Sequence, residues 1–130
     1  MRLALLPLAL LSLTACRADE SLHAYGAGGH IWHLVSIDGS TTEMRATLEF
    51  PKPGQIAGQA TCNRYSAPQT APYPWFALGP IAVTRMACPD LDSETLFFQA
   101  LEAMTLSEVL DTTLVLSDET GREMVFATRP

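Results

Sequence analysis

One segment of this chain has apolar residues at helical spacing, and it constrains the fold most because alternating stretches flank it on both sides. Its apolar stripe recurs every three or four residues: Phe97, Ala100, Leu101 and Met104. Asp90 or Asp92 is suited to the N-cap, and Glu94 falls near the positive end of the helix dipole. The pattern predicts one helix over residues 91–104 that buries the stripe against a sheet.

The flanking stretches are typical of β-strands. Strand-forming patterns occupy residues 30–37, 47–50, 55–60 and 75–85 before the helix, and 106–110, 114–116 and 124–126 after it. Between them, Ser66–Pro74 contains three prolines, which favours an irregular or edge segment. This order predicts an α+β fold over residues 30–130, with one packed helix on a mostly antiparallel curved sheet that forms an open or cracked barrel.

The N-terminus has the order of residues that directs export. Arg2 precedes an apolar run, Leu3–Leu13, that is too short to span a bilayer comfortably, and small residues follow it. The ending Leu13-Thr14-Ala15-Cys16 resembles the lipobox of bacterial lipoproteins. The resemblance implies that residues 1–15 are a signal peptide and that Cys16 carries lipid after cleavage.

Charge and anchor together limit the partners. Removing residues 1–15, whose one charge is Arg2, changes the formal net charge from −6 to −7. Such an acidic domain is not expected to bind nucleic acid, and the lipid anchor rather than charge is expected to hold it on a membrane. Residues 16–29 are predicted to be the lipidated N-terminus and a flexible tether. Arg17 follows Cys16 where inner-membrane retention uses aspartate, so the periplasmic face of the outer membrane is the predicted location.

Two cysteines, Cys62 and Cys88, remain after Cys16 is assigned to lipid. An even pair in an oxidising compartment favours a structural disulfide, while free thiols and thiol chemistry stay open as alternatives. A reactive thiol needs a neighbour that lowers its pKa, and a zinc site needs about four ligands at short spacings. Neither pattern is present around these cysteines or the three histidines, so no metal or cofactor is predicted.

Two separated motifs resemble one family. CNRYS at Cys62–Ser66 is followed by GPIAVTRMACP at Gly79–Pro89, and then by the predicted helix and strands. This order is similar to the META domain, or HslJ-like family, over about residues 31–128. The resemblance implies a compact sheet-plus-helix fold related to lipid-binding pilot lipoproteins, supports pairing of the two cysteines, and implies an envelope or heat-shock association without a known reaction. The family usually has glycine at the positions of Thr61 and Ala67. If the family's turns need a positive φ there, this chain must adopt a different backbone conformation.

Polar residues in and near these motifs are the candidates for binding. Two interpretations are open for Asn63, Arg64, Tyr65 and Arg85. The favoured one is structural, with Asn63 stabilising the turn and Arg64 paired with an acidic neighbour. The other makes the four residues the rim of a ligand or partner site. Met86 is predicted to lie in the core. No nucleophile with a base and an orienting group occurs, and no nucleotide-binding pattern, so an enzyme is not predicted.

The sequence favours a non-catalytic lipoprotein of the bacterial envelope with a stress-related or accessory role in binding or structure. Its partner would be an envelope protein or a lipid. The alternative is a carrier that holds a lipid or a small apolar ligand in a cavity between the helix and the sheet. A carrier needs that space to be unfilled, whereas a structural or surface-binding protein needs it to be packed.

Overall fold

The computed structural model of the protein describes residues 16–129, so the predicted signal peptide lies outside the described residues. These residues form nine strands and one long helix. The strands are β1 (Trp32–Ile37), β2 (Ser40–Thr41), β3 (Thr47–Lys52), β4 (Gln55–Gln59), β5 (Arg64–Pro68), β6 (Ala82–Val83), β7 (Leu106–Leu110), β8 (Thr113–Ser117) and β9 (Glu123–Ala127). The helix α1 spans Leu91–Ala103, which confirms the helix prediction to within one residue.

The strands form one open antiparallel sheet in the order β6-β5-β4-β3-β1-β9-β8-β7, and β2 pairs with β1. The sheet is not closed into a barrel, because β6 and β7 lie at its two ends. The turn after β1 has φ of 52° at Asp38 and 79° at Gly39, the left-handed pair that a two-residue hairpin favours. The predicted α+β architecture with an open sheet is therefore confirmed.

The proline-rich segment after β5 is irregular, as predicted, and it runs along the outer edge of β7. Gln69 pairs with Leu78 at its base, and Trp75 pairs with Leu106 on β7. The backbone N–H of Ser107 donates to the Pro74 carbonyl at 2.7 Å. The segment thus connects the β5 side of the sheet with the strand at the opposite end.

Side chains fill the space between α1 and the sheet. Phe97, Leu101 and Met104 are buried, as predicted, while Glu102 is exposed. They pack in one cluster with large buried side chains from the sheet, among them Trp32, Leu48, Leu114, Met124 and Phe126. Gly58 permits close packing across β4, because a side chain there would collide with the Thr47 carbonyl oxygen. The space between α1 and the sheet is therefore packed, as a structural or surface-binding protein requires.

The structure differs from the predicted tether over residues 16–29. Leu22 and Ala27 are buried, and His23–Ala27 forms a short helical turn. The Ala27 carbonyl accepts a hydrogen bond from Trp32 Nε1 at 2.9 Å, and the Glu20 carbonyl accepts one from the Tyr73 N–H at 2.8 Å. The glycine and alanine content suggested flexibility, but the apolar side chains of this segment belong to the core. Within residues 16–129, no helix is both long and apolar enough to cross a membrane.

Candidate functional site

The two motifs, CNRYS and GPIAVTRMACP, meet at a disulfide. Cys62 and Cys88 are joined, as predicted, with their Cα atoms 6.2 Å apart and a separation of 26 in sequence. Cys62 lies in the turn before β5, and Cys88 lies three residues before α1. The bond therefore ties the segment after β6 to the sheet at the point where the helix begins.

Asn63 and Glu94 form a buried polar network beside this disulfide. Glu94 Oε1 accepts hydrogen bonds from the backbone N–H groups of Cys62 and Asn63, at 3.1 and 2.8 Å. Glu94 Oε2 accepts one from Asn63 Nδ2 at 2.8 Å. Asn63 Oδ1 in turn accepts from the Met86 N–H at 2.6 Å and from Thr84 Oγ1 at 3.0 Å. One asparagine thus links the turn, the helix and the segment after β6.

The charge of Glu94 is stabilised by this network. Burial raises the pKa of the Glu94 carboxyl, but the hydrogen bonds from Asn63 and Cys62 together lower that pKa below its ordinary value. Both carboxylate oxygens are occupied by donors from the protein itself. Glu94 therefore acts as a fixed acceptor that positions the turn against the first turn of α1.

Tyr65 lies in the core rather than at a rim. Its ring is buried and meets Phe97 and Phe98 edge-on, with ring centroids 5.6 and 5.3 Å apart. Its hydroxyl donates to the Thr47 carbonyl oxygen at 2.7 Å, and burial raises the pKa of that hydroxyl. The alternation along β5 explains this position, because Tyr65 and Ala67 are buried while Arg64 is exposed.

The predicted binding residues therefore fall into two groups. Asn63 and Tyr65 are buried and structural, whereas Arg64 and Arg85 are exposed. The suggested ion pair of Arg64 is not present, since the ion pair found in the described part of the chain joins Arg122 to Asp38 at 3.2 Å. Arg64 and Arg85 thus leave two cations on the surface beside the disulfide-linked segment.

An open groove of about 580 Å³ lies between α1 and the segment that follows β6. We call it the α1 groove. Its apolar lining consists of Ile81, Val83, Met86, Leu91 and Phe98. The charged side chains that line it are Arg85 and Glu94, and the hydrogen bonds described above already engage both Glu94 oxygens. The charge that the groove offers to a ligand is therefore the positive charge of Arg85.

Met86 corrects a prediction made from the sequence. It was expected in the core, but its side chain is 63% exposed and lines the α1 groove. The Met86 backbone is held by Asn63, so the main chain is fixed while the side chain faces outward. Leu91, in the first turn of α1, is also exposed. No sequence pattern predicts this groove, because the wall residues that hydrogen-bond to the supporting turn lie 21 to 32 positions from it in the chain.

A second groove, of about 720 Å³, lies beside β1 and the segment 41–47. Its apolar side chains include the buried Leu34 and Ala46 and the exposed Val35, and Glu43 and Arg45 give it both signs of charge. It differs from the α1 groove in charge, because these two opposite charges leave it without net charge. Among residues 16–129, no group of three or more His, Cys, Asp or Glu side chains is arranged to hold a metal ion.

The family model of the META domain matches residues 25–130. The chain belongs to the META domain family. The family suggested by CNRYS and GPIAVTRMACP is thereby confirmed.

Solved structures with the same fold are distant from this META protein in sequence. A protein from Burkholderia xenovorans, solved by NMR, is 22% identical with a TM-score of 0.60, and the match covers 94% of this chain and 97% of that one. Another NMR structure is 20% identical with a TM-score of 0.58, covering 76% and 88%. The crystal structure of a DUF4847 family protein from Bacteroides vulgatus ATCC 8482 is 12% identical with a TM-score of 0.61, covering 81% and 94%. At these identities the likeness establishes the fold alone. The curated proteins contain no match.

The two departures from the family pattern do not require unusual backbone in this META domain. Among residues 16–129, the residues other than glycine that have a positive φ are Asp38 and Asp111, so neither Thr61 nor Ala67 adopts the left-handed conformation. The cost at Thr61 is of another kind, because its Oγ1 is buried without a hydrogen-bond partner. The turn keeps its geometry through the disulfide and the Glu94 acceptor.

Proposed function

We propose that this META protein is a non-catalytic lipoprotein of the cell envelope that acts by binding a partner in the α1 groove. One observation carries the proposal. A rigidly supported surface groove exposes Met86 and Leu91 and offers one uncompensated cation, Arg85. Exposed apolar side chains that are surrounded by a polar rim are typical of interaction sites.

The partner is expected to combine an apolar part with a negative charge. The groove combines its apolar side chains with the cation Arg85 and with polar lining residues, which are Asn63, Thr84, Glu94 and Thr95. Arg64 adds a second cation on the neighbouring surface. The chain as a whole carries a formal net charge of −6, so a local pair of free arginines stands out against an acidic background. An acidic, apolar segment of an envelope protein satisfies both requirements.

The arrangement favours binding over chemistry. Glu94 is the buried carboxylate beside the groove, and its oxygens are engaged by Cys62 and Asn63. The Tyr65 hydroxyl is engaged by a backbone carbonyl, and burial raises its pKa, which opposes ionisation. General acid–base work needs a group that is free to exchange a proton with a substrate. The polar groups under the groove instead support its walls.

The carrier alternative receives less support. A carrier that uses a cavity between helix and sheet needs unfilled space there, and in this domain Phe97, Leu101 and Tyr65 occupy it. The apolar surface available to a ligand lies outside, and in the α1 groove it stands beside the cation Arg85. A lipid or another small amphiphile would therefore compete for the same groove rather than for an internal site.

The anchor is tested by labelling. Cys16 is exposed, and it follows the lipobox-like ending Leu13-Thr14-Ala15. Cells that express the full chain and are fed a labelled fatty acid should yield a labelled membrane protein, and Cys16→Ser should abolish the label and leave an uncleaved precursor. Recovery of an unlabelled wild-type protein that still contains Ala15 would overturn the anchor.

The groove is tested in cells by two variants with matched exposure. Met86 and Leu96 are 63% and 60% exposed, but only Met86 lines the groove. In cells that lack the gene, the double variant Arg85→Glu, Met86→Asp should fail to restore survival under envelope or heat stress. Leu96→Asp should restore it, and both variants should keep the wild-type melting temperature, because exposed substitutions change stability by only about 0.5 kcal/mol. Full survival with the double variant, or equal loss with both, would contradict the proposal.

A further inference from the structure

A second surface with exposed aromatic side chains lies along the outer edge of β7, where the proline-rich segment pairs with that strand, and it is separate from the α1 groove. Three aromatic residues form it, and we call it the aromatic edge: Tyr25, Tyr73 and Trp75. The Tyr25 and Tyr73 rings stack with centroids 4.7 Å apart, and the Tyr73 hydroxyl accepts from the Val109 N–H at 3.4 Å. Trp75 pairs with Leu106 on the same strand. Tyr25 is 50% exposed and Trp75 is 56% exposed.

The N-terminal segment leads directly to this surface. The Glu20 carbonyl accepts a hydrogen bond from the Tyr73 N–H at 2.8 Å, so Glu20 is held against the aromatic edge. Cys16 is four residues earlier. At a maximum of about 3.5 Å per residue, Cys16 lies within about 14 Å of Glu20. Whatever surface Cys16 is attached to must therefore come close to Tyr73 and Trp75.

We propose that the aromatic edge docks on the headgroup region of the lipid bilayer to which the protein is anchored. Tyr and Trp favour this region, because their rings are apolar while the hydroxyl and indole N–H remain hydrated. A short lead from Cys16 to Glu20 makes contact an intramolecular event with a high effective concentration. The inference rests on the proposed function only for the anchor at Cys16.

Charge selects the kind of bilayer. Asp19 and Glu20 precede the aromatic edge, and Glu108 lies on the same strand as Leu106. These carboxylates disfavour an anionic surface, so docking is expected on zwitterionic headgroups and is expected to weaken as anionic lipid is added.

The fluorescence of Trp75 can report whether the aromatic edge contacts lipid. The chain has two tryptophans, and the other, Trp32, is fully buried. Cys16 is the free cysteine of the described chain, since Cys62 and Cys88 are paired. The thiol of unlipidated protein can therefore be coupled to a maleimide lipid in phosphatidylcholine and phosphatidylethanolamine vesicles. This supplies the anchor chemically, so a failure of lipidation in cells leaves the docking test intact.

On these vesicles, Trp75 emission should shift to shorter wavelength, should lose its accessibility to acrylamide, and should be quenched by lipids brominated near the headgroup. Tyr25→Ser should weaken all three effects in a protein that still unfolds cooperatively. The control is Leu96→Trp in a Trp75→Phe background, which places an equally exposed reporter on α1 and should stay accessible to acrylamide.

Three outcomes would overturn the inference. Trp75 that is as accessible on vesicles as in solution would mean that the aromatic edge does not touch lipid. Equal shielding of Trp75 and of the Leu96→Trp reporter would mean general crowding rather than docking. Shielding of Trp75 that rises with protein concentration without vesicles would assign the aromatic edge to a second copy of the chain.

Discussion

At the scale of single residues, Glu94 decides the geometry beside the disulfide. It is buried in the first turn of α1 and accepts three hydrogen bonds from a turn about 31 residues away. The Asn63 amide is held in one orientation, because its Oδ1 accepts from the Met86 N–H. The acceptor on Glu94 that faces Asn63 Nδ2 therefore has no substitute within the network.

Replacing Glu94 by glutamine tests this arrangement. The new amide would point a donor at Asn63 Nδ2, so we expect Glu94→Gln to lower the free energy of unfolding by about 1–3 kcal/mol at pH 7, as for other unsatisfied buried polar groups. Asp92→Asn is the matched control, since it removes an exposed charge from the same turn and should cost only about 0.3–1 kcal/mol. Denaturant unfolding of the three proteins measures both values, and equal losses would contradict the assigned role.

The same experiment has a pH dependence with a definite sign. The pKa of Glu94 is lowered in the folded state, so its contribution is present above the ordinary glutamate pKa of about 4.3 and is lost as the pH falls through the folded value. The stability difference between wild type and Glu94→Gln should therefore shrink in acid. A difference that is unchanged from pH 7 to pH 3 would show that the carboxylate charge has no part in it.

Some residues were beyond prediction from the sequence for a physical reason. Glu94 was predicted to favour the helix dipole, which is correct, but its contact with Asn63 depends on how the helix packs across the sheet. Met86 looked like core because it is apolar, whereas the backbone hydrogen bond from its N–H to Asn63 turns its side chain outward. Tyr65 looked like a rim residue until strand alternation placed it inside.

At the scale of elements, the helix and most strands followed from periodicity and turn residues. The stripe on α1 and the alternation in β3, β8 and β9 match the buried positions. In β7 the alternation does not match them, because Ser107 is buried while Leu110 is exposed. The region 75–85 was different. Its apolar pattern suggested a strand, but only Ala82–Val83 pairs with β5, because the remainder follows the edge of β7 or forms the wall of the α1 groove. The structure of this region therefore depends on which strands its backbone can pair with, and the local apolar pattern does not contain that information.

The packing of α1 is tested by one large-to-small change. Leu101 is fully buried against the sheet, so Leu101→Ala should lower the free energy of unfolding by about 2–5 kcal/mol. Glu102→Ala removes the neighbouring exposed side chain and should change it by no more than about 0.5 kcal/mol. Thermal or denaturant unfolding gives the comparison. Similar small effects from both variants would mean that this face of the helix does not form the core.

At the scale of the whole molecule, the domain presents two separate surfaces on a filled interior. The α1 groove lies beside the disulfide and carries Arg85 and Met86, while the aromatic edge lies beside the segment that leads to Cys16. The proposals give them different tasks, partner binding and membrane docking. A domain anchored at one surface and open at another is suited to hold a partner near the bilayer.

The central claim, that the α1 groove binds an apolar ligand with a negative charge, is tested most directly by titration with 1-anilinonaphthalene-8-sulfonate. This dye combines an apolar ring system with one anionic group, and its emission rises on binding apolar surface. We expect saturable binding to the folded wild type at neutral pH. The double variant Arg85→Glu, Met86→Asp should bind about tenfold more weakly or worse, because a contact to a charged group is worth about 1.5–3 kcal/mol. Leu96→Asp should bind like wild type, and equal affinity for all three proteins, with equal melting temperatures, would contradict the claim.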